Sequence, residues 1–158
     1  MTDDPGHFVI ERSTTISAPA RVVHGYLDDL RQWPLWSPWE GNDPDLKRTY
    51  SGATSGVGAS YQWSGNRKAG AGSMTITESD ANLVGLDLVF TKPFKARNRT
   101  SFLLEEQGST TAVTWRMTGT RGAVARLMAK IVPMDKFVGK DFEKGLASLK
   151  AQAELPDS

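Results

Sequence analysis

The chain contains no cysteine, which removes disulfides, thiolate metal sites and a cysteine nucleophile from consideration. Histidine is almost as scarce, with His7 and His24 alone. Two imidazoles without thiolates are a poor basis for zinc, so no metal is expected. No apolar run approaches the ~18 residues that suggest a membrane span, so no integral membrane segment is expected. The opening Met1-Thr2-Asp3-Asp4-Pro5-Gly6 is acidic and lacks the basic and apolar regions of a signal peptide. A cytoplasmic location is the natural expectation. Neither charge dominates: 19 basic and 18 acidic side chains leave a net +1, far from the basic excess that nucleic acid demands. Residues 1–80 carry 7 basic and 10 acidic groups (−3) and residues 81–158 carry 12 and 8 (+4), a mild asymmetry that reads as a solvated basic face. There is no Gly-x-Ser-x-Gly elbow and no Walker loop. Gly56-Val57-Gly58 and Gly70-Ala71-Gly72 fall between predicted strands and read as turns, so no cofactor is assigned.

What the chain does have is a concentration of tryptophan. Trp33-Pro34-Leu35-Trp36-Ser37-Pro38-Trp39 holds three of the five tryptophans. Its two prolines exclude a continuous helix, because each lacks an N–H and disfavours helical geometry in the preceding residue. Large aromatics on an irregular segment need burial, so the heptapeptide is expected to be a corner packed against the body of the domain, at the edge of a cavity.

With 158 residues, 39% of them hydrophobic and 23% charged, the chain fits a single domain spanning 1–158, with its core at about 8–154. Residues 8–17 alternate as a strand. Ser17-Ala18-Pro19-Ala20 reads as a helix start with Ser17 as N-cap, and Val22, Val23, Tyr26, Leu27 and Leu30 form the stripe of a short helix. Six further strands are predicted at 46–50, 59–64, 73–78, 83–90, 96–106 and 111–119, separated by turn signals. A helical stretch at 127–131 leads to a break at Pro133. A long amphipathic helix over 134–154 then carries Met134, Val138, Phe142, Leu146, Leu149 and Ala153 on one side, and Lys136, Lys140 and Lys144 on the other. Gly139 and Gly145 lie beside that stripe, either because a bulky neighbour approaches closely or because a ligand needs room.

Strand, short helices, six strands and a long helix describe an α+β fold. An antiparallel sheet of that length must curl, and only the C-terminal helix can cover its concave face. Alternation points Tyr61 and Trp63, Met74 and Ile76, Leu86, Leu88 and Phe90, Phe102 and Leu104, and Val113, Trp115 and Met117 into that space. Such a lining suits flat or flexible apolar guests, although the same residues also describe a filled core. The candidate ligand-pocket residues are Trp36, Trp39, Tyr61, Trp63, Met74, Leu88, Phe90, Trp115, Met117, Val138 and Phe142.

Ile16-Ser17-Ala18-Pro19-Ala20 with Val23, the Trp33–Trp39 corner, Tyr61-Gln62-Trp63-Ser64-Gly65-Asn66 with Gly70 and Gly72, Val113-Thr114-Trp115 with Met117, and Gly139-Lys140-Asp141-Phe142-Glu143 running to Lys150 together resemble the START-related SRPBCC superfamily. That superfamily includes the polyketide cyclase/dehydrase and lipid transport proteins and has the birch-pollen-allergen-like helix-grip fold. The resemblance covers about residues 9–154. It implies a curved seven-stranded antiparallel sheet wrapped around a long C-terminal helix, two short helices after strand 1, and an elongated hydrophobic cavity. It does not imply one activity, since members bind lipids, hormones or polyketides and only some catalyse.

No catalytic set emerges from the residues. His24, on the first helix, is a candidate general base. Asp141, beside Phe142, is a candidate general acid if burial raises its pKa. Arg12, on the apolar parity of the first strand, could pair with an acid or anchor a ligand carboxylate. Lys92 to Arg99 forms a basic hairpin around Phe94 that could dock a partner or membrane, or be a solvated turn. The expected function is binding or transport of a small hydrophobic ligand, lipid-like or aromatic. The alternatives are a polyketide cyclase or dehydratase using the same cavity, and an accessory domain with a closed interior. Sequence assigns no oligomeric state.

Overall fold

The computed structural model describes residues 7–38, 45–66, 70–92, 96–120 and 134–155. Strand β1 (His7–Ile16) is followed by helix α1 (Ala20–Leu27) and a 3-10 turn (Leu30–Leu35). Strands β2 (Lys47–Gly52), β3 (Ala59–Ser64), β4 (Ala71–Asp80), β5 (Leu83–Lys92), β6 (Ala96–Gln107) and β7 (Thr110–Thr120) come next, and helix α2 (Met134–Ala153) closes the order. The strands form one seven-stranded antiparallel sheet in the order β1-β7-β6-β5-β4-β3-β2. Each consecutive pair from β2 to β7 is thus joined by a short reversal, and β1 returns to the far edge beside β7. This is the helix-grip architecture expected from the element order. The predicted helix at 127–131, Trp39 and Phe94 lie outside the described residues.

Local chemistry differs from expectation at the start of α1. Pro19, not Ser17, occupies the N-cap, and no side chain of its own caps the helix. The first free N–H, on Ala20, is instead taken by Glu106 Oε1 of β6 at 2.8 Å, while buried Thr111 donates to the Ala18 carbonyl at 2.8 Å. A proline cannot cap through its side chain, so the orphan donor is satisfied from the sheet. The backbone N–H of Ser17 goes to Glu154 Oε2 on α2 at 2.7 Å. These bonds tie α1 to the β6–β7 hairpin and to the end of α2.

Helix α2 lies close to the sheet because two glycines let it. A Cβ on Gly145 would sit 2.8 Å from Trp115 Cζ3 and 2.9 Å from Pro38 Cδ, so the helix backbone meets the indole and the tryptophan corner directly. At Gly139 the neighbour is the guanidinium of Arg12, which also donates from Nε to Glu143 Oε2 at 3.0 Å. Close approach therefore accounts for both glycines.

The two positions should respond differently. Pro38 and Trp115 are fixed in the core, so Gly145→Ala is expected to destabilise by about 1–3 kcal/mol through overpacking, despite a helix-propensity gain of up to ~1 kcal/mol. Gly139→Ala meets only the movable end of Arg12 and should be near neutral. Urea denaturation measures both, and a Gly145→Ala variant more stable than wild type contradicts the close contact. The Glu154 carboxylate is held below the ordinary carboxylate range, first by the hydrogen bond from Lys150 and then by the Ser17 N–H. A depressed folded pKa adds stability above the unfolded pKa that is lost as pH falls through the folded one. The stability gap between wild type and Glu154→Gln should be open at neutral pH and close on acidification. A gap independent of pH would show that the charge contributes nothing.

Candidate functional site

The concave face divides into two unlike parts. On the β6–β7 side the aromatics mesh. Trp115 stacks on Phe142 of α2 with centroids 4.0 Å apart and planes within 4°. Trp36 meets Trp115 edge-on at 5.5 Å, Phe102 lies 4.9 Å from Trp115, and Trp33 lies 4.6 Å from Trp36. Trp36, Trp115, Phe102 and Phe142 are all buried to within 1%. Their polar edges are satisfied as well. Trp33 Nε1 donates to the Leu27 carbonyl and Trp36 Nε1 to the Tyr26 carbonyl, each at 3.0 Å, while Trp115 Nε1 donates to Thr100 Oγ1 at 3.3 Å. Buried indoles with satisfied N–H groups are structural anchors. Trp33 and Trp36 are thus a plug seated in the core, held by α1 carbonyls.

The β2–β3 side is built differently. Tyr50 and Tyr61, directly opposite in register, have ring centroids 5.1 Å apart. Tyr61 lies nearly parallel to Trp63 at 6.0 Å, and Trp63 meets Phe90 edge-on at 5.7 Å. Gly72 pairs with Trp63 on one side and Phe90 on the other. Without a side chain there, the indole lies across the strand: a Cβ at Gly72 would fall 2.7 Å from Trp63 Cη2. Tyr61, Met74 and Leu88 are buried beneath, whereas Tyr50, Trp63 and Phe90 stay partly exposed. Arg31, on the 3-10 turn, places its guanidinium 4.9 Å above the Tyr50 ring, a cation–π contact at the margin of this aromatic row.

Within the same face sits a buried polar group that has no partner among the described residues. Asn98 on β6 is 9% exposed, in register with Leu88 on one side and Gly119 on the other. Its side-chain amide finds no hydrogen-bond partner among the described residues. A buried amide left so costs roughly 1–3 kcal/mol. Thr100, the next inward polar residue, is engaged by Trp115. Sequence reasoning stopped the inward row of β6 at Phe102 and Leu104, although the same alternation carried back two and four residues reaches Thr100 and Asn98.

The remaining candidates fall in separate places. Met117 is buried on β7 and joins the core cluster. Val138 lies on α2, and its side chain is outside the described set. Asp141 is half-buried next to Phe142. His24 is far more engaged than its position suggests: Nε2 is 3.1 Å from Ser79 Oγ and Nδ1 is 3.5 Å from Asp28 Oδ2. Burial pushes the Asp28 carboxyl up, and His24 partly offsets this. Ser79 escaped the sequence reading because the predicted strand stopped at residue 78, whereas β4 runs on to Asp80 with a register shift between Ile76 and Glu78. Strict alternation after Met74 and Ile76 turns Glu78 inward, but the bulge reverses the phase. Glu78 therefore joins Arg99 on the outer face, and Ser79 turns toward α1. No cluster able to hold a metal ion occurs among the described residues. Nor does any described helix have the length and apolarity to cross a membrane.

This architecture has many counterparts among solved structures. A Chromobacterium violaceum protein, CV1439, matches with a TM-score of 0.65 at 14% identity, over 94% of this chain and 99% of its own. Mesorhizobium loti MLL2253 gives 0.68 at 14% identity, over 96% and 100%. BexL, a di-domain ARO/CYC protein of the BE-7585A biosynthetic pathway, gives 0.71 at 12% identity, over 98% of this chain but 52% of BexL. No curated protein matches the sequence. At these identities the likeness establishes the fold alone. The family model described as polyketide cyclase/dehydrase and lipid transport matches residues 7–154, and with the curved sheet, the gripping helix and the short helices after β1 all in place, the chain belongs to that family.

Proposed function

We propose that the chain binds a small apolar ring compound carrying at least one hydrogen-bonding group, and that its role is to hold or carry that molecule. The observation that carries this reading is the contrast across the concave face: a solid aromatic plug on the β6–β7 side, and partly exposed Tyr50, Trp63 and Phe90 on the other with an unpaired Asn98 amide nearby. The Trp63 ring lying over Gly72 is a flat shelf suited to stacking. Asn98 lies one strand from Leu88 and diagonal to Phe90, about 7–8 Å away, within reach of a carbonyl or hydroxyl on a ring resting there. Affinity then comes from apolar burial and orientation from the amide, the usual division of labour in such pockets.

A cyclase or dehydratase in the same cavity needs at least two convergent polar groups to move protons. Asn98 is not titratable and Thr100 is engaged by Trp115, so we favour holding the ligand over transforming it; an enzymatic reading would have to use the phenols of Tyr50 and Tyr61 in the same row.

Two measurements test the proposal. Titration with 1-anilinonaphthalene-8-sulfonate, an aromatic probe with a polar group, should give saturable fluorescence that weakens about tenfold in Trp63→Ala, the loss of one stacking contact of roughly 1.4 kcal/mol. Unchanged affinity in a folded Trp63→Ala protein removes the shelf from the site. Asn98→Leu should raise the stability of the unliganded protein by about 1–2 kcal/mol in urea, because an unsatisfied amide is replaced by a hydrocarbon of similar shape, and should weaken retention of any molecule that copurifies in native mass spectrometry. A less stable Asn98→Leu protein would mean that the amide is already satisfied and is not an anchor.

A further inference from the structure

We propose that Ser79, His24 and Asp28 form a nucleophile–base–carboxylate relay that accepts acyl groups from activated esters, at a site separate from the aromatic shelf. Ser79 lies seven positions along β4 from Gly72, about 23 Å at the usual strand rise, so the two sites do not share a ligand.

The atoms stand in the order that serine nucleophile chemistry requires. Ser79 Oγ faces one imidazole nitrogen, Nε2, at 3.1 Å, and Asp28 Oδ2 faces the other, Nδ1, at 3.5 Å. An ionised carboxylate can only accept, so the relay requires the tautomer with its proton on Nδ1, facing Asp28, which leaves Nε2 to accept from the serine hydroxyl. Such contacts are commonly loose before a substrate arrives. His24 and Asp28 each keep 20% of their side-chain surface exposed, which leaves the group reachable from solvent.

Three elements hold the group in place. His24 and Asp28 share one face of α1 as an i, i+4 pair. Ser79 is aimed at them by the β4 bulge, whose neighbour Ile76 accepts through its carbonyl from Gly58 N–H at 2.9 Å. The same β2–β3 turn donates Gly56 N–H to the Asp28 carbonyl at 2.8 Å. Gly56 and Gly58 adopt φ of +72° and +94°, a region that side-chain-bearing residues rarely enter. The turn therefore braces both the bulge and the end of α1. A bulge that reverses the facing of a strand and delivers a hydroxyl to a histidine is a common device beside functional groups.

The chemistry balances without another reagent. Ser79 Oγ bonds to the ester carbonyl carbon while its proton passes to His24 Nε2. The carbon–oxygen bond to the alcohol breaks, and the alcohol leaves with that proton. Water then attacks acyl-Ser79 with His24 again taking and returning a proton, so that acid is released and the hydroxyl regenerated. Asp28 is the positioning residue, holding the imidazole in the tautomer that leaves Nε2 free.

The test is peptide mapping after treatment with an alkyl fluorophosphonate, whose phosphorus forms a bond to an activated serine oxygen as fluoride leaves. The expected result is an adduct at Ser79 in preference to the other serines, formed roughly a hundredfold more slowly in His24→Gln, the scale of a lost general base. Labelling should also slow in Asp28→Asn at unchanged melting temperature, an effect that a purely structural carboxylate would not have. No adduct at Ser79, or labelling at the same rate in folded His24→Gln, overturns the relay. If a variant fails to fold, the wild-type map decides alone: an adduct concentrated at Ser79 supports the relay and its absence refutes it.

Discussion

The seat of α2 on the sheet is the constraint from which the rest follows, and it is set by one contact, the face-to-face stack of Trp115 on Phe142. With ring centroids 4.0 Å apart, Trp115 and Pro38 lie so near the adjoining helix turn that a Cβ at position 145 would collide with both, which is why that position is glycine. Trp36 meets the stack edge-on and Phe102 lies tilted against Trp115 at 32°, and such aromatic contacts each add ~0.5–1.5 kcal/mol beyond area burial. The helix is thereby held tightly over β7 and β6. The aromatic row on β2, β3 and β5 is left to form its own surface, and three of its rings stay partly exposed.

That asymmetry separates two uses of the same residue type. Trp33, Trp36 and Trp115 each give the indole N–H to a partner in the protein's own frame. Trp63 lies over Gly72 between Tyr61 and Phe90 and stays partly exposed. Polar groups follow the same division. Thr100 and Thr111, inside the plugged region, are bonded to Trp115 and to the Ala18 carbonyl, while Asn98 beside the shelf has no such partner among the described residues. A buried amide without a partner among the described residues, beside partly exposed aromatics, is the pairing on which the proposed binding role rests, since stability alone would favour a hydrocarbon there.

Much of this was legible in the sequence. Alternation named the inward residues of β3, β5 and β7 correctly because an antiparallel sheet with one covered face enforces a period of two. The long helix was legible from its apolar stripe, and the tryptophan corner from its prolines. Strand ends and bulges were not legible: the strand predicted to stop at 78 runs on to Asp80, and a bulge after Ile76 sets the facings of Glu78 and Ser79, with nothing local in Thr77-Glu78-Ser79 to signal it. Long-range partners were equally hidden. Ala20 is capped by Glu106, 86 residues away, and the glycines of α2 could be assigned only once Arg12, Pro38 and Trp115 were placed against them. Alternation also pools plug and shelf into one inward set; only the third dimension separates Trp115 and Phe142 from Trp63 and Phe90.

The central claim is that a guest rests on the shelf and leaves the plug undisturbed. Fluorine NMR of protein labelled with 5-fluorotryptophan reads this directly, because the five tryptophans give separate resonances that substitution to phenylalanine can assign. On adding 1-anilinonaphthalene-8-sulfonate, the Trp63 resonance should shift or broaden while those of Trp33, Trp36 and Trp115 hold their positions. A Trp63 signal that stays put while Trp36 or Trp115 moves would contradict this division of the concave face.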